Sequence, residues 1–422
     1  MTSCDSAAAG RRFRSISTLI PMPHLTYQTA GESHGPGLTT LVSGLPAGID
    51  IDTDFINNEL HRRQGGYGRG GRQRIESDSI EILSGVRRGR SIGSPIAMLI
   101  RNKDSRLDDA TKTPPVYTPR PGHADLAGSI KYLTTDCRET LERASARETA
   151  ARVAAGALSR CLLRAVNIET FGFVRAILDA AWTGEVTEDN WRTLIAARDA
   201  SEVYCPDGQG STTSRMCQII RQAKIDKDTV GGLVECHIFG CPPGLGSTMN
   251  WFERLDARLA AAVMGIQAFK AVEIGLGKDC ASRPGSQVHD PIRFVPARVG
   301  DPSLGFTRDT NNAGGTEGGM TNGAPVVIRG TMKPISTLLR GLPSIDLNTK
   351  QPAMSAYERS DICAVSAASV VMENVTAFEI AAAFLTKFGG DSLIETQDNY
   401  QRFLKIAREL PLEPPISSTE IA

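Results

Sequence analysis

The hydrophobic and polar positions first indicate a strand, a turn and a helix. Residues 39–43 (Thr-Thr-Leu-Val-Ser) are a short apolar run typical of a strand, and residues 44–48 (Gly-Leu-Pro-Ala-Gly) have the composition of a turn. Residues 54–63 then place apolar side chains at the spacing of an amphipathic helix. This part of the chain therefore predicts one strand, turn and helix unit.

A similar unit recurs near the middle of the chain. Residues 234–239 (Val-Glu-Cys-His-Ile-Phe) predict a strand, residues 240–244 (Gly-Cys-Pro-Pro-Gly) predict a turn, and residues 252–271 predict an apolar, alanine-rich helix. Two such units indicate a duplicated architecture. A coincidence between two ordinary turns explains the turns equally well.

Two longer patterns predict helices that belong to the core. Residues 146–165 carry Ala, Arg and Leu at helical spacing, and residues 362–388 are almost uncharged, so we expect the second helix to be buried. Residues 176–230 are more charged and predict a peripheral insertion. Three long Gly-, Pro- and Arg-rich stretches, at 64–74, 101–125 and 283–345, predict ordered loops that build a site.

Composition narrows the class of protein. The 422 residues are 41% hydrophobic and 22% charged, which is enough for a large core without disulfides. The formal net charge is zero, which argues against a general nucleic-acid binder or a membrane-surface protein. Nine cysteines without a CxxC pair favour a reducing, cytoplasmic setting with mostly buried thiols. No apolar run reaches the roughly 18 residues of a membrane span.

The two ends of the chain differ from the rest. Residues 1–22 contain three arginines and several Ser and Ala, so they predict a disordered or spurious leader, and organellar import stays open. Met22 would be a natural start. Residues 411–422 are rich in Pro and Ser and predict a flexible tail. A single catalytic domain over 23–410 is expected between them.

Five arginines lie in or beside a glycine-rich stretch that follows the first predicted helix. They are Arg62, Arg63, Arg69, Arg72 and Arg74. Guanidinium groups on such a scaffold can converge on a small polyanion, because they bind phosphate and carboxylate in a bidentate manner. An RNA-binding segment and a solvated basic loop are the alternatives. Four further arginines could join the same pocket: Arg120, Arg143, Arg147 and Arg359.

Two histidines and one glycine-rich run complete the candidate site. His34 and His123 lie in Gly/Pro loops, where a histidine can act as a general acid or can simply bond its own loop. Neither has metal-ligand spacing. Residues 311–320, with the Lys-Pro-Ile-Ser-Thr segment at 333–337, could hold a phosphate-bearing cofactor. The run is neither a P-loop nor a dinucleotide fingerprint.

Several of these strings together resemble one family. The motifs Thr29-Ala-Gly-Glu-Ser-His-Gly35, Arg120-Pro-Gly-His-Ala-Asp125, Glu142-Arg-Ala-Ser-Ala-Arg-Glu-Thr149, Met264-Gly-Ile-Gln-Ala268 and Arg359-Ser-Asp361 occur in the order seen in chorismate synthases. The resemblance covers roughly residues 25–395 and omits 176–230. The segment 140–142 (Thr-Leu-Glu) departs from the Gly-rich run of some members.

The resemblance implies an activity. The family eliminates phosphate and a ring proton from 5-enolpyruvylshikimate-3-phosphate to give chorismate, by an anti-1,4 route that requires reduced FMN without net redox change. NADPH enters only indirectly, as a source of reducing equivalents, and an external flavin reductase is a possible partner. A homotetramer, no metal, no nucleic acid and no membrane are expected. A flavin- or nicotinamide-dependent oxidoreductase and an RNA-binding protein are the rival functions.

The resemblance also implies roles for individual residues. His34, with Ser33 beside it, would protonate the leaving phosphate, His123 would stabilise the reduced flavin, and Asp361 would assist proton removal. Substrate contacts would come from Arg63, Arg69, Arg72, Arg120, Arg147 and Arg359, the first two of which match NADP-contacting positions of the family. Cofactor contacts would come from Arg143, Ala144, Ser145, Gln267, Ala268, Gly318, Lys333, Pro334, Ile335, Ser336, Thr337 and Arg359.

The fold implied by the resemblance is α+β. Antiparallel sheets would flank a helical core in an internally duplicated β-α-β sandwich, in agreement with the two strand, turn and helix units.

Overall fold

The computed structural model describes residues 25–70, 77–355 and 360–411. The predicted leader and all but the first residue of the predicted tail lie outside these ranges. The strands are β1 (Thr26–Ala30), β2 (Gly37–Ser43), β3 (Glu81–Ile82), β4 (Val86–Arg87), β5 (Arg90–Ser91), β6 (Ile96–Arg101), β7 (Glu169–Ile177), β8 (Ala180–Ala181), β9 (Gly232–Phe239), β10 (Phe269–Ile274), β11 (Ile292–Phe294), β12 (Phe306–Arg308), β13 (Thr316–Glu317), β14 (Met320–Thr321), β15 (Val326–Met332), β16 (Pro343–Ile345) and β17 (Pro352–Met354). The helices are α1 (Thr53–Gln64), α2 (Asp125–Lys131), α3 (Arg138–Arg143), α4 (Thr149–Ala165), α5 (Trp191–Ala200), α6 (Ser211–Ile225), α7 (Leu255–Met264), α8 (Val365–Phe388) and α9 (Leu393–Arg408).

The first sheet is antiparallel, with strand order β1-β2-β6-β3. Side chains alternate between its two faces, so Leu38, Thr40 and Val42 of β2 are buried while Leu41 is 43% exposed. The buried face packs on α4. The sheet therefore has one face in the core and one face partly in solvent.

The second sheet is also antiparallel, with strand order β10-β15-β9-β7-β8. One face packs on α7 and α8. The other carries Phe171, Phe173 and Phe239, which are buried together with Trp191 of α5. Because both faces are covered, β9 is buried on both sides from Val234 to Phe239, although one of its faces carries Glu235 and His237.

The helices form the layer between the two sheets. Where α4 crosses α8, a Cβ added to Gly156 would lie 2.2 Å from the backbone oxygen of Asn374, so only glycine allows this approach. Helix α8 is long and apolar enough to cross a membrane by length and composition alone, yet 94% of its apolar window is buried inside the protein. It is the central core helix.

The topology shows the predicted duplication. The elements β1, β2, α1, β6 and α4 recur, in the same order, as β7, β9, α7, β15 and α8. In each half, the strand before the first helix of this series pairs with the strand before the second helix, as in Val42 with Ile96 and Ile238 with Val326. The predicted α+β sandwich is confirmed, and so are the helices expected over 54–63, 146–165 and 362–388.

Two predictions about the second half are wrong in part. The helix expected over 252–271 is α7, which ends at Met264; Ala268 then adopts a left-handed φ of 68°, and the chain enters β10, which pairs with β15. The segment 176–230 is not merely peripheral. Met216 and Ile220 of α6 join the main core, while Trp191 of α5 packs on the outer face of the second sheet.

The cysteine side chains are mostly buried, as the sequence predicted. Six of the eight described cysteines are buried, and all eight are free.

Candidate active site

One cavity of about 480 Å³ lies where the loops of both halves meet the helical layer, a volume typical of sites for small molecules and cofactors. Its walls come from the segment after β1, the end of α1, the loop 65–70, the loop before α2, the α3–α4 junction, the segment before β10 and the segment after β15. The predicted site residues that line it are Ser33, His34, Arg63, Arg69, Arg120, His123, Ala144, Ser145, Arg147, Gln267, Ala268, Lys333, Pro334, Ile335, Ser336, Thr337 and Asp361.

Arg63 lies in the last turn of α1, which places its side chain in the cavity wall. Its Nε donates to Thr149 Oγ1 at 2.9 Å, its Nη2 donates to the backbone oxygen of Ala146 at 2.7 Å, and the residue is 4% exposed. Burial lowers the pKa of Arg63 to about 9. The positive charges of Arg147 and Arg69 also lower this pKa, whereas the negative charge of Asp78 raises it. The guanidinium is thus held rigidly in an environment that is short of negative charge.

Arg147 shares the same counter-charge. Its Nη1 donates to Asp78 Oδ2 at 2.6 Å, and Arg63 Nη1 lies 3.7 Å from that oxygen. Its Nε donates to Asn102 Oδ1 at 2.9 Å. Since one buried carboxylate serves two guanidinium groups, this wall of the cavity favours an anionic ligand.

Asn102 connects this arginine to the loop that carries His34. Its side-chain amide donates to the backbone oxygens of Glu32 and Gly35 at 3.1 and 2.8 Å, and the residue is 7% exposed. Sequence reasoning missed Asn102 and Asp78. The only signal was the presence of Asn102 in a loop expected to build a site.

Replacing Asn102 by Ala is expected to lower the stability of the protein by about 1–3 kcal/mol, because the carbonyls of the His34 loop lose a buried donor. Urea-induced unfolding measures the change. Asn58→Ala, on the exposed side of α1, is the matched control and should leave the midpoint nearly unchanged. Equal midpoints for the two variants would show that Asn102 does not hold the loop.

His34 is held by a carboxylate that the sequence did not single out for this role. Its Nδ1 lies 2.9 Å from Glu142 Oε1, and its backbone N–H donates to Glu142 Oε2 at 2.9 Å. Hydrogen bonds from His34 outweigh the effect of burial and lower the pKa of Glu142, so that carboxylate is ionised. Ser33 lies beside the imidazole, where its hydroxyl accepts from Ser145 Oγ at 3.2 Å.

His123 and Arg120 share a second buried carboxylate, that of Asp125. Arg120 Nε donates to Asp125 Oδ2 at 2.8 Å, and His123 Nδ1 makes a short contact with Asp125 Oδ1. Burial would raise the pKa of Asp125, but these two hydrogen bonds and the Arg120 charge lower it. Arg120 also donates to Thr337 Oγ1 at 3.0 Å, which ties the loop before α2 to the segment after β15.

Asp361 and Arg69 form a pair on a third wall. Arg69 Nη1 lies 2.9 Å from Asp361 Oδ2, and the backbone N–H of Gly70 donates to Asp361 Oδ1 at 2.6 Å. Both oxygens of the carboxylate are therefore positioned from the loop that follows α1.

The remaining wall combines hydroxyl, amide and ammonium groups. The Gln267 side chain donates to Glu148 Oε2 at 3.1 Å, while its buried Oε1 has no hydrogen-bond partner among the described residues. The Lys333 backbone N–H donates to the oxygen of Ala268 at 2.9 Å, and the Lys333 ammonium contacts the oxygen of Gly122. Burial and the nearby Lys270 lower the pKa of Lys333.

Some of the predicted site residues are not among the residues that line the cavity. Arg62 points into the core and pairs with Glu59 and Glu373. Arg143 is exposed and donates to the backbone oxygens of Thr29 and Gly31. Gly318 is exposed in the turn between β13 and β14, away from the cavity residues. The predicted Arg72, Arg74 and Arg359 lie outside the described residues.

This fold and site fit the class of enzymes that act on a small polyanion. A duplicated α+β sandwich encloses a cavity with four buried or nearly buried arginines, and two histidines in its walls are each held by an ionised carboxylate. Among the described residues, no group of His, Cys, Asp and Glu could hold a metal ion.

Comparisons with known proteins identify the family. The chorismate synthase family model matches residues 25–385. Chorismate synthases of Geobacter metallireducens and Desulforudis audaxviator are 50% and 51% identical to the chain; each alignment covers 91% of this chain, and 99% and 98% of those proteins. A crystal structure of a chorismate synthase has a TM-score of 0.72 and 37% identity, over 92% of this chain and 99% of that one. The chain belongs to the chorismate synthase family.

Proposed function

We propose that this protein is the lyase that converts 5-enolpyruvylshikimate-3-phosphate to chorismate and phosphate in the shikimate pathway, with reduced FMN bound beside the substrate. Family membership supports the reaction class. The observation that carries the proposal is the cluster of Arg63, Arg69 and Arg147 around one cavity, with the pKa of Arg63 lowered by burial and by its two arginine neighbours.

The charge of the proposed substrate fits this cluster. One phosphate and two carboxylates bring several negative charges, which would relieve the repulsion among the three guanidinium groups. The arginines are fixed before binding by Thr149, Asp78 and Asp361. Bidentate contacts from such preorganised groups would bind and orient the substrate.

The leaving phosphate needs a proton donor. His34 lines the cavity, and with Nδ1 engaged by Glu142 its Nε2 is the nitrogen that can exchange a proton. Ser33 would assist by hydrogen bonding. Asp361, held by Arg69 and Gly70, is proposed to assist removal of the ring proton.

The cavity wall that combines hydroxyl, amide and ammonium groups, formed by Gln267 and the 333–337 segment, fits a flavin mononucleotide. The unpartnered Gln267 Oε1 can accept from an N–H of the flavin ring, and the 333–337 segment offers an ammonium group and hydroxyls to its phosphate. His123 would face the electron-rich ring. When bound, reduced FMN supplies electron density that weakens the carbon–oxygen bond to phosphate. The other predicted cofactor contacts remain predictions: Arg143, Gly318 and Arg359. The same holds for two predicted substrate contacts, Arg72 and Arg359, since Arg359 was predicted for both roles.

The test is an anaerobic assay with reduced FMN and the phosphorylated substrate. Phosphate and chorismate should appear together in equal amounts, without consumption of NADPH. NADPH consumption in step with product would instead favour the rival oxidoreductase, and steep, salt-dependent RNA binding would favour the RNA-binding function.

The same proposal includes a homotetramer, a cytoplasmic location and a single catalytic domain over residues 23–410.

Arg63→Ala is expected to weaken substrate binding roughly ten- to hundredfold, since a charge-assisted contact contributes on the order of 1.5–3 kcal/mol. Equilibrium binding of the substrate measures the change. Arg87→Ala removes the same charge from an exposed strand and should bind like the wild type. If both variants bind normally, Arg63 does not contact the substrate.

The protein is also expected to lack flavin reductase activity, because the sequence has no dinucleotide fingerprint with which to hold a nicotinamide against the flavin. The anaerobic mixture contains protein, oxidised FMN, substrate and NADPH, without dithionite or light. Sustained chorismate formation in that mixture would disprove this prediction, whereas formation only after an external flavin reductase is added would support it.

A further inference from the structure

Glu142 lies on α3 with its carboxylate directed at a single histidine. The residue is 1% exposed. Its oxygens contact His34 Nδ1 at 2.9 and 3.0 Å and accept from the His34 backbone N–H at 2.9 Å. Its own backbone oxygen accepts from the N–H of Ser33 at 3.1 Å. Both the ring and the backbone of His34 are therefore fixed from this one residue.

The other charged groups near His34 largely offset one another. On the Nε2 side, Arg106 Nη2 lies at 3.4 Å, a long contact in which the guanidinium donates to an unprotonated Nε2, and Asp104 Oδ2 lies at 3.8 Å. Arg106 and Asp104 pair with each other at 3.1 Å. On the Nδ1 side, Arg138 lies 3.5 Å from Glu142, farther than the imidazole. Because Coulomb energy falls with distance, Glu142 is the dominant charge acting on the ring.

We infer that Glu142 is a positioning residue for the reaction: it holds the Nδ1 proton of His34, so that Nε2 carries the proton delivered to the leaving phosphate. This inference rests on the proposed function of His34. In the step, the Nε2–H bond breaks and a phosphate O–H bond forms as the carbon–oxygen bond breaks. The Nδ1–H stays with Glu142, and Nε2 regains a proton from solvent after product release.

The arrangement predicts which ring nitrogen of neutral His34 carries the proton. Protein labelled with ¹⁵N-histidine is studied by NMR, because the Nδ1 and Nε2 shifts differ between the two tautomers, and the His34→Gln variant assigns the signals among six histidines. In the wild type the neutral ring should carry its proton on Nδ1. Glu142→Gln removes the charge at almost constant size and should give a mixture of tautomers, whereas Glu142→Asp keeps the charge on a shorter side chain and should give an intermediate result. Glu139→Gln, an exposed residue of the same helix, is the matched control and should leave the shifts unchanged.

Kinetics separate positioning from a structural role. In Glu142→Gln, kcat should fall about 10–100-fold, because the ring is no longer fixed with Nε2 as the donor, and KM should stay unchanged. A lower melting temperature with unchanged His34 ¹⁵N shifts would overturn the inference. If His34→Gln kept full turnover, the proposed acid would be wrong, whereas the NMR shifts would still report the Glu142 pairing.

Discussion

Replacing His34 by Gln is expected to lower turnover about 10²–10⁴-fold, the range typical for the loss of a general acid. The glutamine amide can still donate to Glu142, so the buried carboxylate keeps a partner, but it has no proton to give to the leaving phosphate. Substrate and flavin affinities should therefore stay near those of the wild type. Anaerobic single-turnover kinetics with reduced FMN measure the chemical step directly.

A histidine outside the cavity gives the control for this experiment. His289→Gln changes the same side chain in a segment that does not line the cavity, and it should leave turnover unchanged. His34 would have no part in the reaction if His34→Gln folded correctly and reacted at the wild-type rate.

Glu373→Gln is expected to destabilise the protein by about 3–5 kcal/mol, because it breaks a buried ionic network by removing one charge. The carboxylate is 0% exposed and pairs with Arg62 and Arg160 at 3.2 Å and with Arg198 at 3.5 Å. Within the described part of the chain, the three guanidinium groups would keep Glu59 and the exposed Asp199 as ion-pair partners. Urea-induced unfolding measures the loss.

The effect should extend to the active site. Arg62 precedes Arg63 in the last turn of α1, so loosening the pairing of Arg62 with Glu373 should also loosen Arg63, the residue proposed to bind the substrate. Glu379→Gln is the matched control on the same helix, where the carboxylate pairs with Arg258 and both side chains are partly exposed; it should cost about 0–1 kcal/mol. A loss equally small for Glu373→Gln would show that the network does not stabilise the fold.

The sequence by itself determined the local elements and the identity of most cavity residues. Turn chemistry and hydrophobic spacing predicted β2 and α1, and the uncharged pattern over 362–388 predicted a buried helix, because these signals depend on neighbours in the chain. His34 and the 333–337 segment could be predicted as site residues because they lie in unusual loop motifs, and Arg63 because it precedes a glycine-rich stretch with further arginines. Several motifs in a fixed order also identified the family.

Only the tertiary structure decided which polar groups support those residues. Glu142 and His34 are 108 positions apart, and Asp78 and Arg147 are 69 apart, so no local pattern connects them. The helix expected over 252–271 was too long for a related reason. Alanine-rich composition favours a helix, but pairing of β10 with β15 ends it. Such pairings form only when distant segments pack together, and their energies depend on burial, which the sequence at one position does not specify.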